Sequence, residues 1–212
     1  MKVQSYARLT SGILAVWFTF ALIAAALGIF KGPPGRPPIP IALAASIPLA
    51  LFVIWFAVSR GFRDFVLGLN PRVITMVHSW RLAGYAFLVL YTYGILPAMF
   101  ALPAGWGDVF IGATAPLVAL KLTNSKHLKN FVLWQILGII DLLNAVAMAA
   151  MTAIIRPNGI GPDAMAGLPL SVIPTFGVPV FLILHLISLA QAWRWRELPS
   201  TEMGRCPLVS AT

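Results

Sequence analysis

Ionisable side chains occur inside stretches of this sequence that are otherwise apolar enough to cross a bilayer. Arg81 lies in a run from His78 to Asp108 that reads HSWRLAGYAFLVLYTYGILPAMFALPAGWGD, and Asp141 and His185 lie within two later apolar runs. Because an ionisable group in hydrocarbon is costly, each of these residues is a candidate functional residue. Together they could bind a small anionic or protonatable solute near the middle of a membrane.

The depth of each polar residue in the bilayer can be compared by counting along the predicted helices. At about 1.5 Å per residue from the outer helix ends, Arg81 lies roughly 27 Å deep, His185 roughly 24 Å and Asp141 roughly 20 Å. We therefore predict one buried polar layer in the cytoplasmic half, with an ion pair between Arg81 and Asp141 and with Asn144 and His185 beside it. Two alternatives remain open. Arg81 could extend to the inner head groups, and Asp141 with Asn144 could form hydrogen bonds between helices.

The stretch around Arg81 also has a helical pattern. His78, Arg81, Tyr85, Leu88 and Thr92 recur at spacings of three and four residues, which predicts that they share one face of an α-helix. That face should contact protein or water rather than lipid.

The two histidines of the apolar runs suggest a cofactor. A b-type haem takes axial ligands from two histidines on different helices, which makes His78 and His185 candidate haem ligands. Their predicted depths differ by about 7 Å on the same count, which disfavours the haem and favours a protein without a cofactor.

Asp108 follows a Pro and Gly-rich turn, where a helix is expected to begin. An aspartate at such a position caps the helix, so Asp108 is predicted to be a cap, and a functional site at the outer end of the helix is the alternative. The sequence has no HExxH, CxxC or GxSxG pattern, so it gives no support for a metal site or a soluble type of enzyme.

Composition defines the setting of these residues. Of the 212 residues, 59% are hydrophobic and 10% are charged, and the mean hydropathy is +0.88, values that are typical of an integral membrane protein. The basic residues that give the net charge of +9 flank apolar runs, so they indicate contact with lipid head groups rather than with nucleic acid.

The apolar runs predict an all-α, polytopic helical bundle that forms a single domain over residues 1–212. Six transmembrane helices are expected, near residues 12–30, 39–58, 73–100, 106–122, 131–155 and 168–192, and residues 193–212 form a polar tail. Pro97 and Pro103 are expected to close the third helix, and Asn70 with Pro71 to begin it. The prolines of KGPPGRPP predict an extended loop after the first span, and Pro116 interrupts the short fourth span, which could be re-entrant.

The distribution of basic residues predicts the orientation. With six crossings, one side collects twelve of the 15 lysines and arginines, and the other side holds only Lys31, Arg36 and Arg156. Positive residues concentrate on the cytoplasmic side, so both termini, including the single cysteine Cys206, are predicted to be cytoplasmic in a multi-pass protein of a bacterial inner membrane.

A resemblance accompanies these patterns. It is carried by Arg81, Gly84 and Phe87, then Leu96-Pro97, Phe100-Ala101, Pro103-Ala104-Gly105, Gly107-Asp108, Gly112 and Val118-Ala119, and more weakly by Trp134, Gly138 and Asp141-Leu142. This pattern, within residues 78–145, resembles a group of small uncharacterised bacterial inner-membrane proteins. The resemblance implies the polytopic fold and no particular activity.

Two classes of function are compatible with these features. The first is a small-solute or proton-linked carrier that uses the Arg, Asp and His layer. The second is a non-transporting subunit or assembly factor of a larger membrane complex, which could bind haem. Six helices with short loops are few for a carrier, so a carrier is expected to form a homodimer.

Overall fold

The computed structural model of the protein describes residues 3–32, 38–155 and 164–197, and the regular elements in these ranges are helices. They are α1 (Val3–Ala26), α2 (Ile39–Val58), α3 (Arg60–Leu67), α4 (Pro71–Val77), α5 (Tyr85–Thr92), α6 (Ala98–Lys121), α7 (Leu128–Ile155) and α8 (Val178–Glu197). A 3₁₀ segment, His78–Gly84, joins α4 to α5, and a π-helical segment, Ile173–Gly177, precedes α8. Short 3₁₀ turns lie at Ser125–His127 and Ala164–Ala166. The expected all-α class is confirmed.

Some sequence predictions concern residues outside the described ranges. They are the loop prolines Pro33, Pro34 and Pro37, the basic residues Lys2, Arg36, Arg156 and Arg205, and the tail from residue 198 onward with Cys206.

Five helical stretches in the described residues are long and apolar enough to cross a membrane. They are Gln4–Ala26, Ile39–Val58, Pro71–Thr92, Ser125–Ile155 and Ile173–Arg196. The protein is therefore an integral membrane protein by the length and composition of its helices. Helix α6 is not among the five, although its 24 residues make it about 36 Å long.

Helix α6 is less apolar than the five, and it packs on one face only. It contacts α4, the 3₁₀ segment, α5 and α7, whereas Trp106, Phe110, Leu117 and Leu120 are exposed on its other face. Its buried residues are mostly small or aliphatic: Phe100, Ala101, Ala104, Gly105, Ile111, Gly112, Ala115, Val118 and Ala119. Small residues let helix backbones approach closely, so α6 can pack tightly against these four elements.

The boundary between the third and fourth predicted spans was wrong. The third helix ends at Thr92 rather than near residue 100, and α6 begins at Ala98 rather than near residue 106. Gly94, with φ +68°, makes the turn in a left-handed conformation that glycine adopts readily. Pro103 lies inside α6, because a proline there removes only one helical hydrogen bond while the surrounding small residues gain burial.

The 3₁₀ segment changes which residues of the third helix face the protein. With three residues per turn, side chains three apart lie above one another, and the buried series is Thr75, His78, Arg81, Gly84 and Phe87. The predicted face with α-helical spacing was correct for His78, Arg81 and Leu88 but wrong for Tyr85 and Thr92, which are exposed. The tighter winding carries these two residues outward. The start of this helix is as expected, since the Asn70 side chain accepts from the Arg72 amide at 2.9 Å.

The π-helical segment is held from outside by α1. The Trp17 indole N–H donates to the carbonyl oxygen of Thr175 at 3.1 Å, and its ring meets Phe176 edge to face with centroids 4.8 Å apart. Wider helical winding interrupts the regular backbone hydrogen bonding, so a side-chain donor from α1 stabilises the segment.

Candidate functional site: a buried arginine cluster

Arg81 lies at the centre of the third helix, where its side chain turns into the bundle. It is eleven residues from Thr92, about 17 Å along the axis, and only 2% exposed. The count of about 27 Å assumed a helix that reaches residue 100, whereas the helix ends at Thr92. Asp108, Asp141 and His185 also lie near the middles of their helices, so the polar residues meet midway along the helices.

The guanidinium of Arg81 contacts three neighbouring helices. Its Nε donates to Asp108 Oδ1 on α6 at 2.7 Å, and its Nη2 donates to Asp141 Oδ2 on α7. Its Nη1 lies 3.3 Å from the Gly138 carbonyl oxygen and 3.4 Å from His185 Nε2 on α8. The ion pair between Arg81 and Asp141 is thus present in the structure, and the alternative in which Arg81 extends to the head groups is not.

Asp108 is a member of this cluster that sequence reasoning missed. The interpretation of Asp108 as a helix cap was wrong, because α6 begins ten residues earlier with Pro97 at its N-cap position. The signal was available in the spacing, since Asp108 shares a face with Ala104, Ile111 and Ala115, all of them buried. Because the start of this helix was predicted too far along the chain, Asp108 was not assigned to that buried face.

The neighbours of His185 determine its tautomer. Arginine can only donate, so the contact with Arg81 Nη1 requires His185 Nε2 to accept. The proton then lies on Nδ1, which donates to Gln135 Oε1 at 2.5 Å. His185 in this arrangement is neutral. Gln135 is fully buried and was also missed, although it lies one turn before Gly138 on the same face of α7.

His78 stacks on His185 rather than lying apart from it. Their ring centroids are 4.0 Å apart with planes 28° from parallel, so the predicted difference in depth was wrong. Axial ligation of one haem places the porphyrin between two imidazoles whose nitrogens point at the iron. Rings in face-to-face contact leave no space for a porphyrin, so this geometry does not fit the haem pair.

Two further details concern Asn144 and the nitrogens of His78. Asn144 is half-buried on α7, and in the described residues its side chain makes no hydrogen bond to the cluster. Neither ring nitrogen of His78 has a hydrogen-bond partner in the described ranges, although the residue is fully buried. A buried polar atom without a partner is costly, so the unpaired nitrogens of His78 disfavour the folded state.

Three glycines make room for the charged and polar groups. A Cβ atom at Gly138 would collide with the ring of His185, one at Gly107 with the carboxylate of Asp141, and one at Gly84 with the side chain of Asp108. Each glycine therefore allows a polar side chain to lie directly against a helix backbone. We name the residues joined in this way, Arg81, Asp108, Asp141, His185, Gln135 and His78, the arginine cluster.

The charges of the arginine cluster do not balance. Two carboxylates face one guanidinium, which stays protonated, and His185 is neutral in its observed contacts. With both carboxylates ionised and His78 neutral, the cluster carries one net negative charge. Burial of an uncompensated charge is unfavourable, so the cluster favours the uptake of one positive charge.

A cavity of about 150 Å³ adjoins the cluster at Arg81 and Asp108. Its remaining lining is apolar and includes four aromatic residues, Trp80, Phe87, Phe176 and Phe181. One wall belongs to the 3₁₀ segment and the opposite wall to the π-helical segment. Both segments deviate from regular α-helix, as often happens at functional hinges.

Comparison with known proteins identifies a family for this chain but no activity. A family model described as "Domain of unknown function (DUF8737)" matches residues 38–192, a range that contains the whole arginine cluster and leaves out α1. No curated protein and no solved structure matches the chain significantly.

Proposed function

Because the chain belongs to the family described as a domain of unknown function (DUF8737), its activity has to be inferred from its own site, and we propose that it is a small proton-linked carrier of a small solute. The arginine cluster is its proton-binding centre, and the adjoining cavity holds the solute. The observation that carries this proposal is a buried guanidinium shared by two carboxylates next to a cavity.

The unbalanced charge of the cluster can be neutralised by either of two occupants, a proton or a cationic solute. An empty cluster with both carboxylates ionised keeps one negative charge in a low-dielectric setting, where it is unfavourable. Either a proton on a carboxylate or a cationic solute beside it neutralises the cluster. Competition of this kind couples the movement of protons to that of a solute, because the protein changes conformation most readily when the cluster is neutral.

The helices around the cavity supply elements that can move. The 3₁₀ and π-helical segments each lie in the middle or at the end of a long helix, and local rewinding of either would alter the cavity wall. Carriers commonly place their sites near the membrane midplane at interrupted helices. The arginine cluster lies midway along its helices and beside two interrupted ones, which supports the proposal.

Transport can be tested with purified protein in liposomes that contain a pH-sensitive dye. Three probes of similar size and different charge are added outside: tetramethylammonium, tert-butanol and methanesulfonate. We expect at least one of them to change the lumenal pH at least tenfold faster than in protein-free liposomes. If none of the three does so, the proposal of a proton-linked carrier is wrong.

Asn substitutions of the two carboxylates separate transport from folding. Asp108→Asn and Asp141→Asn each remove the net charge and keep an oxygen that can accept from Arg81, so both variants should fold. In each of them the probe-dependent proton flux should be at least tenfold slower than in wild type. Asp64→Asn is the matched control, because Asp64 is exposed on α3 and should keep the flux. Full flux in both cluster variants would contradict the role of the carboxylates.

We further propose that α6 crosses the membrane, which gives six crossings with both termini in the cytoplasm of a bacterial cell. The test uses single cysteines in a Cys206→Ser background and a membrane-impermeant maleimide applied to intact cells. Tyr93→Cys, before α6, should be labelled, whereas Lys126→Cys, after α6, should react only after lysis. Both positions are exposed. Equal labelling of the two would show that α6 does not cross.

A further inference from the structure

The arginine cluster and its cavity together favour a solute of one sign of charge. We propose that the cavity binds a small organic cation, such as a quaternary or protonated amine, with the ammonium group next to Asp108. This inference rests on the proposed function for its consequence in transport, but binding in the cavity can be measured without transport.

An anionic solute would find no free cation in this cavity. The guanidinium of Arg81 is already directed at Asp108, Asp141 and the Gly138 carbonyl oxygen, and its side chain is only 1% exposed. The carboxylate of Asp108 is 15% exposed and lines the cavity. Arg81 binds its Oδ1, whereas the second oxygen, Oδ2, makes no hydrogen bond within the described residues and lies against Gly84, which also lines the cavity.

The remaining walls suit a cation with an apolar surface. Aromatic faces attract ammonium groups through the ring quadrupole, and cages of such rings are a common means of binding quaternary amines. Trp80 and Phe87 line the cavity from the third helix, and Phe176 and Phe181 line it from the π-helical segment and the start of α8. A solute of this class therefore gains both neutralisation of the net charge and contact with aromatic rings.

The volume suits a small ligand. A cavity of about 150 Å³ is comparable to an engineered protein cavity of that size that holds benzene. Tetramethylammonium has a similar bulk, whereas larger aromatic amines would require the walls to move. The cation and the proton neutralise the same charge, so cation binding should weaken as the pH falls and one or both carboxylates take up a proton.

The test compares the same three probes by their effect on thermal unfolding of the full chain in detergent. A ligand that binds only the folded protein stabilises it in proportion to the logarithm of its concentration above Kd. We expect tetramethylammonium chloride to raise the unfolding temperature beyond equal concentrations of sodium chloride, and tert-butanol and sodium methanesulfonate to give no such increase. The shift should be lost in Asp108→Asn, retained in Asp64→Asn, and reduced severalfold in apparent affinity in Phe176→Leu.

The outcomes distinguish this inference from the proposed function. Stabilisation by methanesulfonate and not by tetramethylammonium would overturn the cation site, while a methanesulfonate-dependent proton flux would still support a carrier. Stabilisation by tetramethylammonium without any proton flux would keep the cation site and overturn the carrier. A shift of equal size in wild type and Asp108→Asn would show that the ammonium group binds elsewhere, and would also overturn the inference.

Discussion

Replacing Arg81 with methionine is expected to destabilise the folded protein by about 3 to 5 kcal/mol, because removal of one partner leaves buried charges without compensation. Two carboxylates would remain at the centre of the bundle, together with a carbonyl oxygen and a histidine nitrogen that lose their donor. Methionine fills a similar volume without a charge, so the effect reports on electrostatics and hydrogen bonding rather than on a cavity. Thermal unfolding in detergent, followed by tryptophan fluorescence, measures it.

Three further variants isolate the cause. Arg81→Lys keeps the positive charge but places it on one ammonium group, which cannot reach all of the partners of Arg81. This variant should therefore be more stable than Arg81→Met and less stable than wild type. The triple variant Arg81→Met, Asp108→Asn, Asp141→Asn removes every charge of the cluster and should be more stable than Arg81→Met alone. Arg72→Met, at an exposed position of α4, should unfold as wild type does. If Arg81→Met also unfolds as wild type does, the ion pairs contribute nothing measurable to the fold.

The sequence predicted half of this cluster for a physical reason that can be stated. Arg81, Asp141 and His185 each lie in a run of mostly apolar residues, and ionisable groups inside a membrane bundle are expected to pair with one another. Depth counting then brought Arg81 and Asp141 together correctly. The same method failed for His78, because it counted from a helix end near residue 100, whereas the third helix ends at Thr92.

The parts that could not be predicted depend on local departures from regular helix. Pro103 was expected to end a helix, but the packing of α6 against four neighbouring elements retains a helical conformation there. As a result Asp108 was assigned to a helix end when it lies in the middle of α6. Gln135 was missed because an amide in an apolar run has no partner that the sequence alone identifies. Its role becomes evident only when α8 places His185 against it.

Gly138→Ala should produce the second large effect, since it adds one methyl group where the structure has no space for it. The new Cβ would lie against three ring atoms of His185, with Nδ1 at 3.3 Å and the other two closer. The ring cannot move away easily, because Gln135, His78 and Arg81 contact it from other directions. Overpacking of this kind costs about 1 to 3 kcal/mol, and any shift of His185 also removes a hydrogen-bond acceptor from Arg81.

The matched control for that substitution is Gly12→Ala. Gly12 lies in α1 with no neighbouring atom within 4 Å of the added Cβ, so alanine there should leave the unfolding temperature unchanged or raise it slightly. A second control tests the cause directly. If the collision with the ring destabilises Gly138→Ala, the double variant Gly138→Ala, His185→Ala should lose less stability than the sum of the two single variants. Strict additivity would mean that the methyl group acts through another neighbour, and that contact between the α7 backbone and the His185 ring is not what fixes the ring beside Arg81.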